Sequence, residues 1–204
     1  MKITPAWKDA EGKGLKDIGW ALEYDGSISF DEAIKIEIGS KCLKVSGSLT
    51  SKLHINASGS IKAGGGIEAS GSIKAGEWIM AGEWIEAGGG IEAGGSIKAG
   101  GSIKASGSIK AGEWIEAGGG IEAGGGIKAG GSIKAGFQIR CRKTLAFRFN
   151  LFAGTAVWKK TTEDDQLVEC AELKGGEIKH GILRIISPEG KTEHPGRNSK
   201  EDGI

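Results

Sequence analysis

Ile85-Glu86-Ala87-Gly88-Gly89-Gly90-Ile91-Glu92-Ala93-Gly94-Gly95-Ser96-Ile97-Lys98-Ala99-Gly100-Gly101-Ser102 is three copies of one six-residue unit. Isoleucine stands first in each, alanine third, and glycine or serine fills the end. The same spacing runs unbroken from Ile55 to Ile139, fifteen isoleucines in all, and alanine follows two residues later from Ala57 to Ala135. A fixed period decides architecture before local propensity does. Within a unit, Ile and Ala share one face while Lys or Glu between them takes the other, the alternation of a short half-buried strand. The Gly-rich end supplies the backbone freedom of a tight corner. Each unit is therefore one strand and one corner, and a stack of units is a β-solenoid in which each rung covers the edge of the one before.

Competing structures fail on the same residues. The chain holds 38 glycines in 204 residues, each costing a helix about 1 kcal/mol relative to Ala, and a six-residue period does not fit 3.6 residues per turn. Collagen needs glycine at every third position. A silk-like or amyloid-like assembly stays open, since the same strands could pair between chains. The outward residue after each Ile tests how many units close one turn, because like charges directly opposite each other are destabilising. From Lys62 to Arg140, a spacing of 18 gives seven opposite pairs and two alike, 12 gives seven and three, and 24 gives four and five. Four sides are disfavoured; two and three are barely separated.

The G-x-I-x-A-G run resembles hexapeptide-repeat β-helices, and it is also similar to repeat proteins encoded by phages and prophages. The first resemblance implies an all-β, three-sided parallel β-helix with 18-residue coils and a left-handed path, with a flattened two-sided form as runner-up. In the acyltransferases of this class a small residue usually sits two before the aliphatic one; here Ala comes two after. The register extends back to Leu49 and Leu43 and forward to Leu145, Leu151 and Val157. This divides the chain into an N-terminal β-rich cap (1–42), a solenoid (43–159), a C-terminal β-hairpin packing on the last coils (160–187) and a polar tail (188–204). The hairpin reading rests on the apolar runs Gln166–Leu173 and Glu177–Ile186 around Lys174-Gly175-Gly176. Its expected task is to cover Phe152 and Trp158, apolar residues at outward positions.

Composition excludes more than it assigns. A net charge of +1 gives no bulk attraction to nucleic acid or membrane, and no apolar run reaches spanning length. The N-terminal residues lack a signal-peptide core. Cys42, Cys141 and Cys170 are odd in number and far apart, which fits free thiols in the cytoplasm. No metal or other cofactor is expected, since none of His54, His180 and His194 has a second His or Cys at ligand spacing. The acyltransferase resemblance makes His54 the sole general-base candidate by position, yet no substrate-enclosing loop interrupts the coils. Interleaved Lys and Glu argue against DNA mimicry and against the flat uncharged face of an ice-binding protein.

The sharpest lead is aromatic. Glu77-Trp78, Glu83-Trp84 and Glu113-Trp114 replace the usual Gly-Gly or Gly-Ser. With an 18-residue coil, Trp78 and Trp114 lie on one side two rungs apart, Ser96 stands between them, Met80 shares that side, and Trp84 lies on the next. Exposed Trp is enriched at interface hot spots; the plainer reading lays each indole on neighbouring side chains. The sequence thus points to a non-enzymatic, cytoplasmic solenoid that binds a protein partner, host protein or self, through Trp78, Met80, Trp84 and Trp114. The phage resemblance implies an inhibitor of a host defence protein. End-to-end self-assembly is the alternative.

Overall fold

The computed structural model describes residues 1–187 and consists of short parallel strands wound into three stacked faces. Every strand from Ile55–Ala57 to Ile133–Ala135 spans Ile to Ala, as the repeat requires. Each pairs in parallel with the strands one coil earlier and one coil later, so that Ile79 lies between Ile61 and Ile97 and Ala81 between Ala63 and Ala99. Three strands per coil make three sides and exclude the flattened form. One face is a sheet of nine strands, which at about 4.8 Å per rung makes a rod roughly 40 Å long. The isoleucines from Ile55 to Ile139 are all buried, and Ala or Cys fills the second inward position of nearly every strand. The core is thus columns of stacked side chains, identical through the strict repeat and continued by Leu, Val and Cys towards the ends.

Glycine has a different role from the one read in the sequence. Among the described residues no glycine between Gly39 and Gly154 has a positive φ, so the corners do not use the left-handed region. Space is what they need. A Cβ on Gly100 would sit 2.0 Å from the carbonyl oxygen of Gly82, and one on Gly118 would sit 2.0 Å from that of Gly100. The column Gly64, Gly82, Gly100, Gly118, Gly136 repeats this contact at every step. Ser58, Ser70 and Ser106 occupy the same place in other coils, so a small polar side chain is accommodated there. The residue before each Ile is tied to the next coil. The hydroxyls of Ser48, Ser72 and Ser108 accept from the backbone N–H groups of Gly66, Gly90 and Gly126, each at 3.2 Å.

Both ends depart from the sequence reading. The stack begins near Ala21, within the segment 1–42 assigned to the cap: Leu22 pairs with Leu43, Ile28 with Leu49 and Ile34 with Ile55. The offset there is 21 rather than 18, because three extra residues are absorbed between Ile36 and Leu43, and this hides the register from a strict six-residue search. Only residues 1–20 cap the first coil, with Trp7 buried edge-on against Tyr24 and Phe30.

The segment 160–187 is not a hairpin. Glu172–His180 is one strand bent at Gly175 and Gly176 (φ +87° and +22°), and it pairs in parallel with Thr144–Phe152. Leu167–Cys170 and Ile182–Ile185 continue the third face, also in parallel. A tight antiparallel turn at Gly175-Gly176 would leave Leu151 and Val168 without a covering rung; winding on lays Ile178 over Leu151 and Leu183 over Val168. Nor does the segment cover Trp158, which is 65% exposed; Val157, assigned to the inward register, is 94% exposed. The register ends at Leu151, and 153–166 is an excursion before the next rung. The polar tail at 188–204 lies outside the described residues.

Three substitutions test this packing. Ile97→Asp, which places an unpaired charge in a site with no solvent access, is expected to cost about 4 kcal/mol or more and to lower the melting temperature sharply. Gly100→Val is expected to cost about 1–3 kcal/mol by overpacking. Gly95→Ala, where the nearest atom to a new Cβ is Glu77 O at 3.2 Å, should melt within a degree or two of wild type.

Candidate functional site

The strands Ile79–Ala81, Ile97–Ala99 and Ile115–Ala117 are consecutive rungs of one face. The residues just before them, Trp78, Ser96 and Trp114, therefore form one column. Met80, Lys98 and Glu116 form the next column, outside the core. Together with Glu113 these residues line a cleft of about 400 Å³ with a mostly apolar wall. Trp78 and Met80 are half-buried, and Trp114 keeps 49% of its surface exposed. Most rungs of the strict repeat carry Lys or Glu over Gly and Ser corners. This side offers two indoles and a thioether.

The polar floor is fixed by hydrogen bonds. Ser96 is buried, and its hydroxyl donates to Glu113 Oε2 at 2.8 Å. Two coils closer to the N-terminus the arrangement recurs: buried Ser60 donates to Glu77 Oε2 at 2.7 Å. Serine in one coil and Glu-Trp in the next is thus a paired motif. Lys98 Nζ lies 3.0 Å from Glu116 Oε2 across the cleft wall. The lining charges are one Lys and two Glu, and only Glu113 has no cationic partner among the described residues.

Trp84 is not part of this cleft. It sits on the adjacent face, 44% exposed, with its indole laid against Gly66 so closely that a Cβ there would lie 2.6 Å from the ring. Gly66 leaves the space that Ser60 and Ser96 fill beneath the other two tryptophans. The structure brings together Trp78, Met80 and Trp114 and leaves Trp84 as a packed side chain on a separate face.

Other groups with chemical potential are committed locally. His54 Nδ1 accepts from the Ser72 backbone N–H at 2.8 Å and so ties one coil to the next. His180 donates through Nδ1 to the carbonyl of Ala153. Cys42, Cys141 and Cys170 are buried free thiols. Burial pushes Cys42 and Cys141 up to about 11 each and raises Cys170 as well. A cavity of about 500 Å³ lies over the last coils of another face, near Lys104, Glu122, Arg140 and Arg142. Its cationic character is offset by Glu169, which pairs with Arg140 at 2.7 Å and Arg184 at 3.1 Å. Among the described residues no three His, Cys, Asp or Glu converge on a metal-sized site, and no helix is long and apolar enough to cross a membrane.

Comparison of the chain with protein-family models, with curated proteins and with solved structures finds no match.

The thiols give a direct test of burial. At pH 8 none of the three is expected to react with Ellman's reagent in the folded protein, and all three should react in concentrated guanidinium. Because each folded pKa lies above the unfolded value near 9.0, the unfolded chain ionises first. The stabilisation is complete below pH 9 and is lost as pH rises through about 11, so thermal stability should fall across that interval.

Proposed function

We propose that this chain is a non-enzymatic β-solenoid that works by holding a rigid surface against a protein partner, with the Trp78–Met80–Trp114 cleft as the contact. One observation carries the reading: two tryptophans from coils two rungs apart frame a single apolar depression among rungs that otherwise, Trp84 apart, carry Lys and Glu. Large apolar features set in a polar surround mark interaction sites, and Trp anchors dominate interface energetics. The framework suits this use. Columns of isoleucine and inter-coil hydrogen bonds hold the indole-bearing backbone still, so little ordering cost accompanies binding. The inhibitor of a host defence protein, suggested by the likeness to phage repeat proteins, is the concrete form we favour. A non-catalytic role is consistent with thiols kept protonated by burial and with His54 engaged in a backbone hydrogen bond.

The test is affinity capture from a lysate of the host, followed by binding measurements with variants checked for fold by circular dichroism. Trp78→Ala and Trp114→Ala should each weaken binding by roughly thirtyfold, the loss of about 2 kcal/mol typical of a truncated Trp anchor. Trp84→Ala should change affinity much less, and Lys128→Glu, a solvated rung on another face, should change it little. Unaltered binding by both cleft variants would move the contact away from this face.

A further inference from the structure

The carboxylate of Glu113 is set between the two indoles of the cleft without a cation of its own. Ser96 stands on the rung between Trp78 and Trp114, about 4.8 Å from the level of each. Its hydroxyl donates to Glu113 Oε2 at 2.8 Å, and a Cβ on neighbouring Gly95 would lie 3.8 Å from the same oxygen. The side chain of Glu113 therefore reaches back from the Trp114 rung to the middle one. The chain's own cations are held away from it. Lys98, the one cation lining the cleft, pairs with Glu116 at 3.0 Å. Arg148, about two coils further along, lies over the ring of Phe149 at 5.4 Å. Among the outward residues that follow each isoleucine from Lys62 to Arg140, only Met80 is uncharged. It falls on the cleft wall, between Lys62 and Lys98 in its column. The one rung of that run without a charge is thus the rung of Trp78, where a lysine would compete for the carboxylate.

We propose that the cleft takes an arginine side chain of the protein partner, with its guanidinium between Trp78 and Trp114 and its N–H groups on Glu113. The inference rests on the reading of this cleft as the contact surface and names the group that enters it. A guanidinium is flat, weakly hydrated and always charged, so it can lie against an aromatic ring while donating to a carboxylate. Glu113 Oε2 keeps a lone pair beyond the one Ser96 uses, and Oε1 stands beside it, so a two-point hydrogen bond is open to the guanidinium. Met80 supplies an apolar wall for the methylene stem. A volume of about 400 Å³ has room for one such side chain. Arginine is enriched with tryptophan at interface hot spots, and hot spots on the two partners tend to face each other. The Ser60–Glu77 pair is a built-in control. It repeats the serine–carboxylate hydrogen bond at 2.7 Å. The residue one coil before Ser60 in that column is buried Cys42, so only one indole flanks this carboxylate.

The test titrates the full chain with N-acetyl-arginine amide and follows the indole N–H resonances of Trp78 and Trp114 by NMR. Saturable shifts at both are expected, with a dissociation constant of roughly 1–10 mM for a ligand of this size. N-acetyl-citrulline amide, the neutral isostere, should bind about tenfold more weakly or worse, and N-acetyl-lysine amide should also bind more weakly. Glu113→Gln should weaken the arginine probe about tenfold, and Glu77→Gln should leave it within about twofold. The comparison of probes on the unaltered protein does not depend on any variant folding. No saturable shift at the two indoles would overturn the proposal. So would equal binding of arginine and citrulline, equal binding of arginine and lysine, or indifference to Glu113→Gln. The proposal and the reading beneath it fail separately. A captured partner weakened by Trp78→Ala, beside an arginine probe that does not bind, would refute the guanidinium and keep the contact surface. An arginine probe that binds as described, beside a partner indifferent to both cleft variants, would keep the guanidinium site and refute the contact surface.

Discussion

Everything in this molecule depends on like residues stacking on like, one coil upon the next. Isoleucine lies on isoleucine, alanine on alanine and glycine on glycine. A fully buried isoleucine contributes about 1.5–3 kcal/mol by transfer from water, so fifteen in columns supply a core without long helices or aromatic clusters. The close approach of rungs that makes this burial possible is also what fixes the corners. At Gly100 and its equivalents the carbonyl of the preceding coil occupies the space a side chain would need. The repeat is simple because each position answers to the same neighbour, one coil earlier and one coil later.

The charged residues contribute less than their regular alternation suggests. Most stacked pairs are opposite in sign, yet within the strict repeat only Lys74 with Glu92 (3.3 Å) and Lys98 with Glu116 (3.0 Å) close into ion pairs among the described residues. Glu68 over Glu86 and Lys110 over Lys128 are alike. Exposed pairs are worth roughly 0–1 kcal/mol, so a core of this depth overrides them. Their alternation does not set the register; it keeps the three faces polar. Against that background the Glu-Trp units stand out, since Glu77 and Glu113 are held by buried serines rather than by lysines.

The central coils were legible in the sequence because the period there is strict and each residue has one environment. Strand bounds, inward Ile and Ala, and the alignment of Trp78 with Trp114 all follow from counting. The charge pattern alone did not separate two sides from three, since Lys and Glu tolerate either pairing. The ends were misread where the period is broken. Three extra residues before Leu43 concealed the coil from Ala21 to Ile36, and Gly175-Gly176, the signature of a hairpin turn, is a corner in a strand that keeps its direction of winding. The two glycines have positive φ in both readings; what differs is the partner strand. Pairing with Thr144–Phe152, a full coil earlier, leaves no local mark. The separation of Trp84 from the cleft follows from its place one six-residue unit after Trp78, and Gly66, one coil earlier, leaves room for its indole.

The three-sided coil is tested most directly by one distance. Lys62 and Lys134 lie on the same face, separated by Met80, Lys98 and Glu116. Spin labels on Lys62→Cys and Lys134→Cys, with the native thiols shielded by burial, can be measured by double electron–electron resonance. Four rungs place the two backbones about 19 Å apart. A separation of about 29 Å, the six rungs that a two-sided coil would put between them, would contradict the three-sided stack on which the cleft depends.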